Sequence, residues 1–333
     1  MVYGEPRSRG TARYRKPPLT HEELVGRMRG HGIGIDDEAK ALRYLGEIGY
    51  YRLSPYVIPF RVLRSSEKVK PGTTFDDILR LYVFDRHLRL LVLDGIERIE
   101  VAVRANLTDV MATSTGDSHW YTQLNHFRNQ GAQSELLSQL THRCEAQLRR
   151  PAEEPGDDVT YPGALEHYLT HYGQPVLPPS WLMVEMLTIG QLQHMISNLK
   201  MRSMRTRIAR GLGLNDELLQ SWLRAYVRVR NVCAHHGRLW NVGLGVAAKL
   251  PKTGGTPWLT DRSSVEKDPL RRRLYPVLVS IQSTLHTINP HSSWGSRLIQ
   301  LMAEYPEVPL SGLGMFPGWE EDEFWVTSGV AGL

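Results

Sequence analysis

Between Thr74 and Arg104, apolar residues recur at Ile78, Leu81, Tyr82, Leu88, Leu91, Val92, Ile96, Ile99 and Val103. That is a helical period sustained over about thirty residues. Gly95 interrupts it without ending it. Strand-like alternation is scarce along the rest of the chain and no internal repeat is visible, so the pattern predicts a mostly α fold with long irregular connectors. The length of 333 residues suits one large domain, or one domain with an elaborated arm. A hydrophobic share of 41% and a charged share of 23% exclude wholesale disorder.

Other elements follow from caps and breakers. Thr20 before Glu22 and Glu23 caps a short amphipathic helix to Arg29, which Gly30, Gly32 and Gly34 end. Asp36 opens a second helix through Ala41, Leu42, Leu45 and Ile48. The aromatic segment at 49–60 carries Pro55 and Pro59 and is predicted to be an irregular buried connector rather than a helix. Further helices are predicted over 132–150, 164–171, 180–198, 201–211, 216–236, 270–288 and 293–304. Residues 1–18, with Arg7, Arg9, Arg13, Arg15 and Lys16, read as a basic flexible tail, either solvated or an arm for nucleic acid. Residues 19–326 read as a single helical domain with an acidic Pro/Gly loop at 151–163, and 327–333 as a C-terminal tail.

Lys and Arg number 40 against 35 Asp and Glu, and 32 of the 40 cations are Arg. Arg grips phosphate with a planar, weakly hydrated fork, so the bias points to an anionic partner. Two cysteines, Cys144 and Cys233, cannot form a disulfide framework in a chain of this length. The first residues carry no apolar run of the secretory kind. Apolar stretches such as 90–93 and 276–281 fall far short of the roughly 20 residues a membrane helix requires. A soluble cytoplasmic protein without membrane association is expected.

The most informative stretch is SWLRAYVRVRNVCAHHGRLWN at 221–241. On a wheel of about 100° per residue, Trp222, Tyr226, Val229 and Cys233 lie within about 80° of Leu219 and form a buried stripe. Arg224, Arg228, Asn231 and His235 lie on the far side, and Asn231 and His235 are an i,i+4 pair. Arg230 and His236 sit at opposite edges of the stripe. An imidazole that titrates near neutrality can move a proton, and neighbouring guanidinium groups can hold a phosphodiester and stabilise a pentacoordinate transition state. Together these are the parts of a metal-independent ribonuclease in which the 2′-OH of RNA attacks its own phosphate.

Each residue also has a plainer reading. His236 fits a hydrogen-bonded histidine at the core boundary, while Asn231 fits a helix brace as well as a group that orients His235. Arg224 and Arg228 fit a solvated face as well as a phosphate track, and Arg238 and Asn241 fit residues that fix the loop after Gly237. His167 and His171 have the spacing of a two-histidine metal pair, but the glutamate a zincin needs between them is missing. Cys233 and His236 could share a metal, yet no third and fourth ligands present themselves. Neither a metal nor a cofactor is therefore expected. Tyr50, Tyr51, Tyr56 and Phe60 read as core rather than base-stacking groups, and Gly211 and Gly213 lack the context of a dinucleotide fingerprint.

Arg230 through His235 form an Arg-x4-His motif with a polar residue after the Arg, which resembles the motif of HEPN ribonucleases. The extended RNVCAHHGRLWN at 230–241 resembles the Abi-like abortive-infection proteins of bacteria, the AbiD/AbiF group. Four further segments agree in order: KPPLT at 16–20, GYYRLSPYVIPF at 49–60, LYVFDRHLRLLVLDGIERIEVAVR at 81–104 and GMFPGW at 314–319. The resemblance spans about residues 16–325. It implies a HEPN-type helical bundle with additional helices, and an RNA-cleaving toxin used against phage. Arg230, Asn231, His235 and His236 would be its catalytic set, with Arg224, Arg228 and Arg238 holding RNA.

The resemblance also implies a homodimer that brings two motif helices together. Arg230 and His235 lie about 140° apart on a single helix, an awkward angle for gripping one phosphate. Some Abi-like proteins are linked to a small non-coding RNA, which makes such an RNA or an antitoxin an expected further partner. Arg86 or Glu100 of the 81–104 segment is expected to brace the motif helix. The alternative function is a non-catalytic RNA-binding scaffold that holds a regulatory RNA through its Arg face.

Overall fold

The computed structural model describes residues 9–330 except 12, 64, 150–162 and 253. The predicted acidic loop thus falls outside the described residues, save for Gly163. The chain divides into two compact units, residues 1–83 and residues 84–333. The fold is mostly α. Among the described residues the only β pairings are isolated bridges, such as Gly34 with Thr74 and Arg61 with Val69. Among them, too, no helix is long and apolar enough to cross a membrane.

The first unit opens with α1 (His21–Gly30). Thr20 caps it: the hydroxyl accepts from the Glu23 N–H, and the Glu23 carboxylate accepts from the Thr20 N–H at 2.8 Å. In α2 (Glu38–Ile48) the cap is Asp37, one residue later than the sequence suggests, and its carboxylate accepts from the Lys40 N–H at 2.8 Å. The aromatic segment corrects the prediction of an irregular connector. Tyr50–Val57 is a helix, α3, with Pro55 inside it, followed by a 3-10 turn at Ile58–Phe60. Pro55 has no N–H to offer the Tyr51 carbonyl, and the Ser54 hydroxyl donates to that carbonyl instead, at 3.0 Å. Leu53, Tyr56 and Val57 are buried, while Tyr51 is exposed.

The long periodic segment is α4 (Phe75–Thr115), 41 residues and about 60 Å long. It outruns the prediction by a further three turns, because Leu107, Val110 and Met111 keep the buried stripe going. At Gly95, the segments carrying Ile281 and Trp294 pack closely on α4. A Cβ there would come within 2.7 Å of Ile281 Cγ2 and 2.8 Å of Trp294 Nε1. The close packing offsets the roughly 1 kcal/mol that Gly costs in a helix interior relative to Ala.

The rest of the second unit follows as α5 (Gln130–Leu148), α6 (Ala164–His171), α7 (Ser180–Met183), α8 (Ile189–Asn198), α9 (Arg202–Arg210) and α10 (Asp216–Ala234). After them come α11 (Ser263–Glu266), α12 (Tyr275–Ile288), α13 (Trp294–Glu304) and α14 (Glu323–Val330). The single helix predicted over 180–198 is broken. Leu187 is extended, and Thr188 starts a new capping box with Gln191. The segment at 270–272 is a 3-10 turn, so α12 starts at Tyr275, with Pro276 in its first turn, where a missing N–H costs nothing. Every residue of α12 from Tyr275 to Leu285 is buried, which makes it the hub of the unit. The motif helix α10 packs against α8, α9 and α12.

Candidate functional site

The sequence of α10 sets which way it faces. Leu219, Trp222, Tyr226, Val229 and Cys233 are all buried, as the stripe predicts, and Leu218 and Leu223 widen the buried face. Asn215 caps the start by accepting from the Leu218 N–H at 2.9 Å. At the first residue of the helix, Asp216 pairs with Arg205 of α9 at 3.1 Å, both side chains nearly buried. With one face committed to the core, Arg224, Arg228 and Asn231 are left exposed and Arg230 half-buried.

The helix ends two residues before the predicted His236. Ala234 is its last residue and His235 is the C-cap, with φ −88° and ψ 12°. The His236 N–H donates to the Cys233 carbonyl at 2.9 Å, and the Gly237 N–H to the Val232 carbonyl at 2.8 Å. This is a Schellman turn, and its left-handed position is filled by His236 at φ 56° rather than by glycine. The reading of His236 as a core-boundary histidine is corrected: both imidazoles are exposed. The wheel angle between Arg230 and His235 loses its basis, because His235 has left the helix. Its N–H still donates to the Asn231 carbonyl at 3.0 Å, which keeps the two residues adjacent.

What holds the turn is a buried carboxylate on α4. Asp85 is 0% exposed and its partner Arg89 is 5% exposed. The Arg89 guanidinium lies 2.5 Å from the Asp85 carboxylate, which also accepts from the backbone N–H groups of Leu239 at 3.1 Å and Trp240 at 2.6 Å. The expected brace, Arg86 or Glu100, is thus replaced by Asp85 with Arg89. Arg86 is exposed. Glu100 pairs with Arg104, which reaches Glu185 at 2.8 Å and the Leu187 carbonyl at 2.9 Å. The clue available in the sequence was the i,i+4 spacing of Asp85 and Arg89.

Beyond the turn, residues 241–249 run back along α10. Asn241, at φ 55°, accepts from Arg273 at 3.0 Å through its side chain and donates its N–H to the Gly312 carbonyl. Gly312 must be glycine, since a Cβ there would overlap the Trp240 ring. The Leu244 carbonyl accepts from Arg228 Nε at 3.3 Å, and the Leu244 N–H donates to the Arg272 carbonyl at 3.0 Å. Lys249 closes the strap. Its N–H donates to Ser221 Oγ at 2.9 Å and its carbonyl accepts from Trp222 Nε1 at 2.8 Å. Of the predicted cations, Arg224 and Arg228 share one exposed face and Arg238 is half-buried behind the turn. Asn241 is tied into the loop as expected.

Burial pushes the Cys233 thiol up to about 12, so at neutral pH it is held as the protonated thiol rather than the nucleophilic thiolate. His167 and His171 stack on one face of α6 with ring centroids 5.4 Å apart. Among the described residues, no group of three or more His, Cys, Asp or Glu is placed to hold a metal ion.

A family model described as Abi-like protein matches residues 43–241, more than half of the chain. The match takes in the segments at 49–60, 81–104 and 230–241, and so both sides of the Asp85 clamp. The segments at 16–20 and 314–319 lie outside it. Neither a curated protein nor a solved structure matches the chain.

Proposed function

This chain belongs to the Abi-like protein family, and on that premise we propose that it is a metal-independent endoribonuclease of the HEPN type, acting as a toxin in abortive-infection defence. The observation that carries the reading is the clamped turn. Asn231 and His235 are exposed side by side at the end of a helix whose other face is locked into the core, with Arg230 on the last turn. Such a helix end presents a proton-transfer group and a guanidinium from a rigid support, which is what preorganised catalysis requires.

In the proposed reaction the RNA 2′-OH attacks the adjacent phosphorus as His235 removes its proton. Arg230 stabilises the charge that builds on the phosphoryl oxygens, and the 5′-oxygen leaves with a proton drawn from water, while the proton held by His235 returns to solvent. The products are a 2′,3′-cyclic phosphate and a 5′-OH. Asn231 orients His235, while Arg224, Arg228 and Arg238 hold neighbouring phosphates. His236 is the second imidazole of the site. Two copies of the chain pair across a two-fold axis, so that each site draws on both motif turns.

Incubation of the protein with labelled RNA in EDTA tests the reading. Cleavage to cyclic-phosphate and 5′-OH ends is expected, with none from His235→Ala. A 3′-OH end, or cleavage restored only by added metal, would point to a metal-activated water instead. RNA bound and left whole would favour a scaffold that holds a regulatory RNA.

A further inference from the structure

A second cluster of arginines, distant in sequence, meets the motif through one residue of the strap. Leu244 receives Arg228 Nε on its carbonyl at 3.3 Å and donates its N–H to the Arg272 carbonyl at 3.0 Å. Arg228 Nε and the Arg272 backbone are therefore at most about 10 Å apart, given the reach of a single residue. Arg272 is the middle of a run of three, Arg271-Arg272-Arg273, lying outside the family-matched residues. The segment at 262–273 carries five cations, Arg262, Lys267 and Arg271 to Arg273, against two carboxylates, Glu266 and Asp268.

The three arginines do not share one role. Arg273 is structural, since its guanidinium donates to the Asn241 side chain at 3.0 Å. Arg272 is exposed and pairs with Asp268 at 3.3 Å, with both side chains more than half exposed. Such a pair is weak and easily exchanged for a phosphate. Arg271 beside it is half-buried, and among the described residues its Nε, which faces the protein, has no hydrogen-bond partner, which leaves the outer part of its guanidinium to meet a phosphate.

We propose that Arg271 and Arg272 form a phosphate-binding site for single-stranded RNA, continuing the Arg228 side of the motif across Leu244. The site binds the ribose-phosphate backbone of the substrate, without base readout, and lengthens the footprint beyond the scissile phosphate. This rests on the reading of the chain as an RNA enzyme.

The test measures binding of a labelled single-stranded RNA of mixed sequence to the full-length His235→Ala protein across a salt series. Each phosphate contact contributes about 0.7 to the slope of log affinity against log salt on single strands, so Arg271→Gln with Arg272→Gln should lower the slope by about 1.4. Affinity at low salt should fall several-fold. Lys at both positions keeps the charge and should keep the slope, which a purely structural role would not predict. Arg272→Gln alone gives half the change in slope and serves if the double variant does not fold, because its side chain is 59% exposed. RNA binding with a slope that neither variant alters overturns this site and leaves the nuclease reading standing. A parent protein that binds no RNA overturns both.

Discussion

The Asp85 carboxylate accepts the backbone N–H of Trp240 at 2.6 Å, across 155 residues of chain. Through that bond α4 sets where the segment after the motif turn can go, and Arg89 supplies the countercharge that lets a carboxylate stay buried. Asp85→Asn would remove the carboxylate charge that faces the buried Arg89 guanidinium. We expect a loss of about 3–5 kcal/mol in denaturant unfolding. Asp85→Asn combined with Arg89→Met should lose less than Asp85→Asn alone, because no charge is then stranded. Equal losses in the single and double variants would show that the ion pair is not what the clamp depends on.

The two histidines differ in backbone state, and this separates their roles. His236 occupies a left-handed position that costs a non-glycine residue roughly 1–2 kcal/mol. His236→Gly is therefore expected to raise the thermal midpoint by a few degrees, by about 1 kcal/mol of relieved strain. Cleavage by this variant should persist if His235 is the acid–base group, whereas His235→Ala should lose cleavage with an unchanged midpoint. Loss of cleavage in His236→Gly with retention in His235→Ala would reverse the assignment.

A shared site makes a specific demand on mixtures. Arg230→Ala and His235→Ala proteins, each inactive alone, should recover part of the activity when mixed, because one heterodimer site keeps both residues. Analytical ultracentrifugation across micromolar concentrations supplies the second readout. A monomer that cleaves at the full rate would end the dimer proposal.

Burial holds the Cys233 thiol protonated far above its ordinary value of 9.0. Because the folded value is the raised one, its stabilising effect is complete below pH 9 and fades as pH rises from about 9 to about 12, where only the unfolded thiol ionises at first. Stability of the parent should therefore fall more steeply over that range than stability of Cys233→Ala, measured by urea midpoints. At pH 8 the native thiol should resist iodoacetamide. Rapid alkylation without unfolding would contradict the burial.

The sequence by itself determined the elements that depend on near neighbours. The apolar period of α4 and the stripe from Leu219 to Cys233 are legible because burial of one helix face repeats every three or four residues. The Thr20 cap is legible because its partner, Glu23, is three residues away. The Pro55 helix is not legible in the same way, because the Ser54 hydroxyl replaces the lost donor, which a breaker rule ignores. The end of α10 escapes the pattern for a similar reason, since no local rule puts a histidine where glycine is favoured.

Only the tertiary structure could decide which charged residue of α4 faces inward, and it selects Asp85 over Arg86. The acceptor and its donors at Leu239 and Trp240 are separated by more than 150 residues, and spacing carries no information over that distance. The same holds for the Arg272 backbone, which lies near Arg228 because Leu244 is bonded to both segments. Contacts that depend on chain return are set by the packing of the whole unit, and a one-dimensional pattern records only the part of that packing repeated along a single helix.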